Sequence, residues 1–190
     1  ITAVMPLDVD ADGDIDIAVA DGDSPSITIL LNNDEAGFNA RASIAVEDGP
    51  GALTAANLND DGHIDLVVAN EDAGTVSILL SDRLGGFSSP RQDILVGIAP
   101  IALGVVDYDA DGDNDIFSAN AGSRDVTIVE SDGDGVFSLG SRISTVMQPT
   151  GLSLSDLTRD VFADLVVSGD GDPFLSFFEN DAGAEFTAKD

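Results

Sequence analysis

One short motif recurs four times along the chain at a nearly constant spacing. Its copies begin at Asp8, Asn57, Asp107 and Asp156, which are 49, 50 and 49 residues apart. A phenylalanine follows each start by 30 residues, at Phe38, Phe87, Phe137 and Phe186. Because two landmarks keep the same register four times, the chain contains an internal repeat of about 49 residues, and any fold must place four equivalent units side by side.

Each repeat reads as four short β-strands. In the second repeat the runs 51–56, 64–69 and 75–80 are rich in β-branched or small apolar residues, and a fourth run begins at Phe87. Glycine, aspartate and asparagine bound these runs, as expected of strands. No run of ten or more residues has the 3.6-residue period of a helix.

Four strands in about 49 residues are typical of one β-propeller blade. The sequence therefore predicts an all-β fold, a β-propeller with four four-stranded antiparallel blades at about 1–46, 47–97, 98–147 and 148–190, in a single domain, 1–190. Three arrangements are open: a small four-bladed ring, part of a larger propeller, or a propeller completed by a second copy. Because the strands alternate in direction, the loop after the first strand and the turn before the fourth should share one face. The repeated phenylalanines should pack between blades or under those loops.

Charge excludes several classes of partner. The chain has 36 Asp and Glu against 7 Lys and Arg, a net charge of −29. Nucleic acid and anionic membrane surfaces need clustered basic residues, so neither is expected as a partner. No run of 18 apolar residues is present, so membrane insertion is not expected. With no Cys and one His, thiolate metal sites, a Cys nucleophile and most zinc sites are excluded.

The first three motif copies have the ligand pattern of a calcium loop. They read D/N-x-D/N-x-D-G-x-x-D, in which oxygens at positions 1, 3, 5 and 9 converge, glycine at position 6 allows a sharp turn, and position 7 offers its carbonyl. An EF-hand is rejected, because it needs Glu at position 12, and Val19, Val68 and Ser118 stand there. A plain polar turn would not need so many crowded carboxylates. The candidate metal residues are Asp8, Asp10, Asp12, Asp14 and Asp16; Asn57, Asn59, Asp61, His63 and Asp65; and Asp107, Asp109, Asp111, Asp113 and Asp115.

The fourth copy departs from this pattern. It keeps Asp156, Asp160 and Asp164 as candidate ligands, but Thr158 stands at position 3 and Val161 at the position of the glycine. Calcium affinity follows ligand charge and loop geometry. We therefore expect three Ca²⁺ sites and a fourth that is weakest or empty.

These motifs resemble a known repeat family. The acidic loops, the strand 65–70 and the Gly-Phe turns at 37–38, 86–87 and 135–137 are similar to FG-GAP/VCBS repeats, the calcium-binding blades of integrin α-subunit propellers and of many secreted bacterial proteins. The resemblance implies Ca²⁺ bound by side chains at positions 1, 3, 5 and 9 and by the carbonyl of position 7. It also implies a ring that usually closes with seven blades.

We expect a non-catalytic, extracellular or cell-surface binding or adhesion module stabilised by calcium, with an unidentified protein or carbohydrate ligand. The ligand face would be the one opposite the calcium loops, around 21–25, 71–74, 121–124 and 169–173. Two alternatives are open: a carbohydrate-active propeller, for which paired carboxylates could cleave glycosides, and a structural, self-associating segment of a larger secreted protein. No G-x-S-x-G or H-E-x-x-H motif supports an enzyme.

Overall fold

A computed structural model of the protein describes residues 1–33, 37–41, 43–87, 91–170, 175–181 and 185–189. Blade 1 comprises β1 (Ala3–Leu7), β2 (Asp16–Ala20), β3 (Ser26–Asn32), β4 (Phe38–Ala40) and β5 (Ile44–Ala45). Blade 2 comprises β6 (Pro50–Ala56), β7 (Asp65–Asn70), β8 (Thr75–Leu79) and β9 (Gln92–Leu95). Blade 3 comprises β10 (Pro100–Val106), β11 (Asp115–Asn120), β12 (Asp125–Ser131) and β13 (Phe137–Ser144). Blade 4 comprises β14 (Pro149–Ser155), β15 (Asp164–Gly169), β16 (Ser176–Asp181) and β17 (Glu185–Lys189). Over these residues there is no helix that could cross a membrane.

Every blade is an antiparallel sheet with its strands in chain order, which confirms the all-β propeller fold. In blade 1 the outermost strand is divided into β4 and β5, which both pair with β3. The fourth strand begins at the repeated phenylalanine in blades 1 and 3. In blade 2, Phe87 forms a single bridge with Ser81 and the regular strand begins at Gln92. Residues 88–90, between them, lie outside the described part of the chain.

Among the described residues the hydrophobic core forms three clusters, each between two successive blades. Ile27 of blade 1 belongs to one cluster with Leu66 of blade 2. Ile78 of blade 2 shares the next with Ile116 of blade 3. Phe117 of blade 3 shares the last with Leu165, Val167 and Phe178 of blade 4. The second strands of the two middle blades are therefore buried along both faces, whereas β2 of blade 1 alternates between buried and half-buried residues.

The two faces of the propeller separate as the strand alternation predicted. The start of each connection to the next blade pairs with the turn between the second and third strands: the amide of Val96 donates to the carbonyl of Gly74, and that of Thr145 to Arg124. On the opposite face, a Cβ at Gly85, in the last turn of blade 2, would lie 3.1 Å from the Cβ of Asp10 in the first acidic loop. The acidic loops of one blade therefore lie beside the last turn of the following blade.

Candidate metal centres

The four acidic loops are 8–16, 57–65, 107–115 and 156–164, here loops 1 to 4. Each has a left-handed residue at position 4, with φ from 55° to 68° at Ala11, Asp60, Ala110 and Arg159. Position 6 is also left-handed, at Gly13, Gly62, Gly112 and Val161. Glycine adopts this conformation at no steric cost, which is why the motif repeats it at position 6. The left-handed position 4 was not foreseen, because alanine and arginine give no signal for it.

In loops 1, 3 and 4 the amide of position 6 folds back onto the side chain of position 1. In loop 1 the Oδ2 of Asp8 accepts a hydrogen bond of 3.1 Å from the amide of Gly13, and in loop 3 Asp107 accepts the same bond from Gly112. The other oxygen of each of these carboxylates is left to face the loop interior.

Position 9 has a structural role that the sequence analysis missed. The buried carboxylate of Asp65 accepts the amide of Leu58 at 2.8 Å and the amide of Ser81 at 2.7 Å, so it joins the loop to the end of the third strand. The same bridge, over the same spacings of 7 and 16 residues, is made by Asp16 and by Asp164. Position 9 therefore links the loop to the third strand whether or not an ion is bound.

Loops 1 and 3 each gather three carboxylates. One oxygen from each of Asp8, Asp10 and Asp16 lies within 4.8 Å of the others, and Asp107, Asp109 and Asp115 form the same arrangement. Among the described residues, the buried Oδ1 atoms of Asp8, Asp10 and Asp107 have no hydrogen-bond partner. A buried, unsatisfied carboxylate oxygen is costly. Several such oxygens around one point fit a hard divalent cation such as Ca²⁺ or Mg²⁺, and not a soft metal.

The raised pKa values of carboxylates in these loops also fit a divalent cation. Burial, followed by repulsion from Asp109 and Asp111, raises the pKa of Asp115 to about 7. Burial, then the charges of Asp12 and Asp16, raises the pKa of Asp10. A divalent cation would remove this penalty, because it favours the ionised form of every carboxylate around it.

Loop 2 has a related arrangement with fewer charged side chains. The amide oxygen of Asn57 is buried and, within the described part of the chain, has no hydrogen-bond partner, so it is placed like Asp8 and Asp107. The Oδ1 of Asn59 accepts the amide of Asp61. Burial would raise the pKa of Asp61, but hydrogen bonds from the His63 amide and from Arg83, whose guanidinium lies 3.2 Å away, lower it instead. Loop 2 therefore offers fewer charges to a cation, and one of them is shared with Arg83.

The structure does not bring all predicted ligands together. Asp12 and Asp111, at position 5, are exposed, and each accepts the amide of the residue two positions later, Asp14 and Asp113. They lie outside the clusters of three carboxylates. Side-chain ligation by position 5 and carbonyl ligation by Asp14, His63 and Asp113 stay predictions.

Loop 4 satisfies its first carboxylate internally. The two oxygens of Asp156 accept the amides of Arg159, Asp160 and Val161. Residues 155–161 are all exposed, whereas the first position of every other loop is partly buried. Over the residues described, Asp156, Asp160 and Asp164 form no cluster of three converging oxygens.

The fold and the loops together define a β-propeller that carries its acidic loops on one face. The chain belongs to the FG-GAP-like repeat family, whose model matches residues 8–68, 57–118 and 107–167. No curated protein matches the chain in sequence.

Solved structures share the fold at low sequence identity. A protein from Lactobacillus plantarum matches with a TM-score of 0.72 and 18% identity, over 98% of this chain and 55% of that one. BBS1N, crystallised in complex with ARL6DN, matches with a TM-score of 0.65 and 15% identity, over 98% and 51%. A lectin from Agrocybe aegerita that recognises non-reducing terminal N-acetylglucosamine matches with a TM-score of 0.59 and 22% identity, over 97% and 50%. The chain thus spans about half the length of each of these three.

Proposed function

We propose that this protein is a calcium-binding, non-catalytic propeller that serves outside the cell, or on its surface, as a binding or adhesion module. The observation that carries the calcium assignment is the set of buried carboxylate oxygens without hydrogen-bond partners in loops 1 and 3, among the described residues. The second oxygen of Asp8 and that of Asp107 already accept a backbone amide. A cation is the group that would satisfy the remaining lone pairs.

Oxygen donors alone exclude soft metals, and the larger ligand set that the loop pattern predicts favours calcium over magnesium. Ca²⁺ takes six to eight oxygen ligands in flexible geometry, whereas Mg²⁺ requires a strict octahedron and keeps several waters. An ion that binds only the folded chain stabilises it by about 2.7 kcal/mol per site at one hundred times its dissociation constant. Calcium concentrations outside cells are sufficient for extracellular modules with dissociation constants of about 0.1–1 mM.

The face opposite the loops offers a place for a ligand. A cavity of about 380 Å³ lies between the turn at 71–74 and the connection 95–99. Asp72 and Arg142 supply charge to its lining, and Leu95 and Ile98 supply exposed apolar surface. Loops on a rigid scaffold carry binding sites more often than strands do. Part of the predicted ligand face, 171–173, lies outside the described residues.

Protein is the first candidate ligand and carbohydrate the second. The lectin neighbour supports a carbohydrate ligand through a shared fold only. Binding to an array of glycans and turnover of a panel of polysaccharides would separate a binding module from an enzyme. Turnover that is lost with a point variant of the chain would contradict the non-catalytic assignment.

Calcium binding is tested by native mass spectrometry and titration calorimetry on metal-free protein. The wild-type chain should bind at least two Ca²⁺ ions, and the variants Asp8→Asn/Asp10→Asn and Asp107→Asn/Asp109→Asn should each bind one fewer. A matched control, Asp21→Asn/Asp23→Asn, changes two aspartates in a turn on the opposite face and should leave the number of ions unchanged. Equal ion counts in all four proteins would refute the site assignment.

A further inference from the structure

The outer face of blade 4 exposes positions that are buried in every other blade. Leu175 is 66% exposed, whereas its repeat equivalents Ile27, Val76 and Val126 are fully buried. Around it, Ser153, Val166 and Ser168 line an open cavity of about 260 Å³. In blades 1 to 3 the equivalent face is the one that packs against the following blade. The face of blade 4 therefore has the side chains of a blade junction, and none of the described residues forms a blade that covers it.

Blade 1 exposes the opposite half of such a junction. Its free face carries Val4, Ile17, Val19 and Leu30, which pair across β1, β2 and β3. Their equivalents in blade 2, Leu53, Leu66, Val68 and Leu79, pack against blade 1. Val4 is 57% exposed. Over the described residues, no hydrophobic cluster joins blade 1 to blade 4.

The acidic loops mark the missing junction most clearly. Position 2 of each of loops 1 to 3 is buried in the same cluster as the repeated phenylalanine of the next blade: Val9 with Phe87, Leu58 with Phe137, and Tyr108 with Phe186. The rings of Tyr108 and Phe186 are stacked, with centroids 5.9 Å apart. Within the described part of the chain, two members of this series have no such contact, and they are both exposed: Leu157 of loop 4 at 54% and Phe38 of blade 1 at 51%.

Side-chain size also matches across the two free faces. Gly104, in the first strand of blade 3, has no room for a side chain, because a Cβ there would lie 2.7 Å from Leu152 and Leu154 of blade 4. On the free face of blade 4 the equivalent of Gly104 is the larger Ser153. On the free face of blade 1 the equivalents of Leu152 and Leu154 are the smaller Val4 and Pro6. A larger residue on blade 4 would thus meet smaller ones on blade 1, as close packing requires.

From these observations we propose that a second copy of this chain is the occupant of the free faces. Blade 1 of each copy packs on blade 4 of the other, with Phe38 of one copy against Leu157 of its partner. The two copies then close an eight-bladed ring with twofold symmetry, which is within the known range of propeller sizes. Both junctions reproduce the contact that the chain already makes three times between its own blades, so the proposal requires no new kind of interface.

The oligomeric state in solution tests this directly. Sedimentation equilibrium and light scattering at physiological salt, with calcium, should give twice the chain mass of 19.4 kDa. Leu157→Lys and Val4→Lys should each raise the dimer dissociation constant by about tenfold or more, since each places a charge in an apolar junction. The matched controls are Leu84→Lys and Val136→Lys, at exposed residues outside both free faces, and they should leave the dimer unchanged. Circular dichroism reports whether each variant folds.

Covalent trapping tests the orientation. The chain has no cysteine, so Ser153→Cys combined with Val4→Cys introduces the two thiols of one junction. A short thiol-specific cross-linker should convert the double variant into a dimer, and neither single variant should form one. A monomer at every concentration would overturn the proposal and favour a blade of another origin as the occupant. Dimers from either single variant, or polymers larger than a dimer, would overturn the head-to-tail ring.

Discussion

If loops 1 and 3 bind calcium as proposed, removal of calcium should reverse the direction in which pH changes the free energy of unfolding. In the metal-free chain, burial and neighbouring carboxylates raise the pKa of Asp115 to about 7, while the pKa of an aspartate in the unfolded chain is about 3.9. Between these values the folded state holds a proton that the unfolded state has lost. Stability therefore falls as pH rises through this window.

The size of this effect follows from the raised pKa of Asp115 and from the burial of its side chain. Asp115 is 3% exposed, so solvent screens its interactions little. A pKa raised from about 3.9 to about 7 lowers the free energy of unfolding by about 2 kcal/mol between pH 5 and pH 7, and by about 4 kcal/mol in total once the group is fully ionised. The raised pKa values of Asp10 and Asp109 act in the same direction. The lowered pKa of Asp61 matters only below about pH 4, outside this window.

With calcium bound, the free energy of unfolding should instead rise with pH. The ion binds ionised carboxylates, so protons compete with it at low pH and affinity rises toward pH 7. The assay is urea unfolding followed by far-ultraviolet circular dichroism, at pH 5, 6 and 7, in buffers stripped of metal by resin and in the same buffers with calcium. Asp115→Asn should remove the part of the metal-free pH dependence that this carboxylate contributes, because an amide does not titrate in this range. Its amide oxygen can still accept the amide of Ser131, so the fold should be kept. Asp164→Asn, at the same position of loop 4, is the control and should keep that pH dependence. Stability that rises with pH to the same extent in both buffers would refute the reasoning.

Three further outcomes are expected. Val161→Gly should stabilise the protein by about 0.5–1 kcal/mol in thermal or urea unfolding, because a β-branched residue is strained at its φ of 80°; the control Val146→Gly, also at an exposed valine, should not be stabilising. Asp164→Ala should cost about 2–4 kcal/mol equally with calcium and without it, because it leaves the amides of Leu157 and Asn180 without their acceptor; a loss seen only with calcium would instead make this residue a ligand. Phe117→Ala should cost about 3–5 kcal/mol in the same unfolding assays, because the side chain is fully buried between blades 3 and 4; a cost below about 1 kcal/mol would contradict that packing.

Much of the site could be predicted because its geometry is local. Positions 1, 3 and 9 of a loop are separated by at most eight residues, so the chain can bring them together without help from distant parts. In loops 1 and 3 the carboxylates at these three positions lie close together. The role of position 9 could not be predicted in this way, because its second partner, the amide 16 residues later, depends on strand pairing.

One prediction was wrong at a single position. The repeated phenylalanines were expected in the core, and Phe87, Phe137 and Phe186 pack in the clusters between blades. Phe38 is exposed instead. The four phenylalanines are equivalent in sequence, but burial depends on a preceding blade, and among the described residues no blade covers that side of blade 1.

The sequence by itself determined the repeat, the strand content of each blade and the acidic loops, because all of these depend on residues within one unit of about 49. The tertiary structure alone decided which equivalent residues are buried, which loops are covered by the next blade's turn, and which two faces are open. Loop 4 illustrates the difference. Its departures at Thr158 and Val161 are visible in the sequence, but the exposure of Leu157 is not, since burial is a property of the neighbour that a residue meets and not of the residue alone.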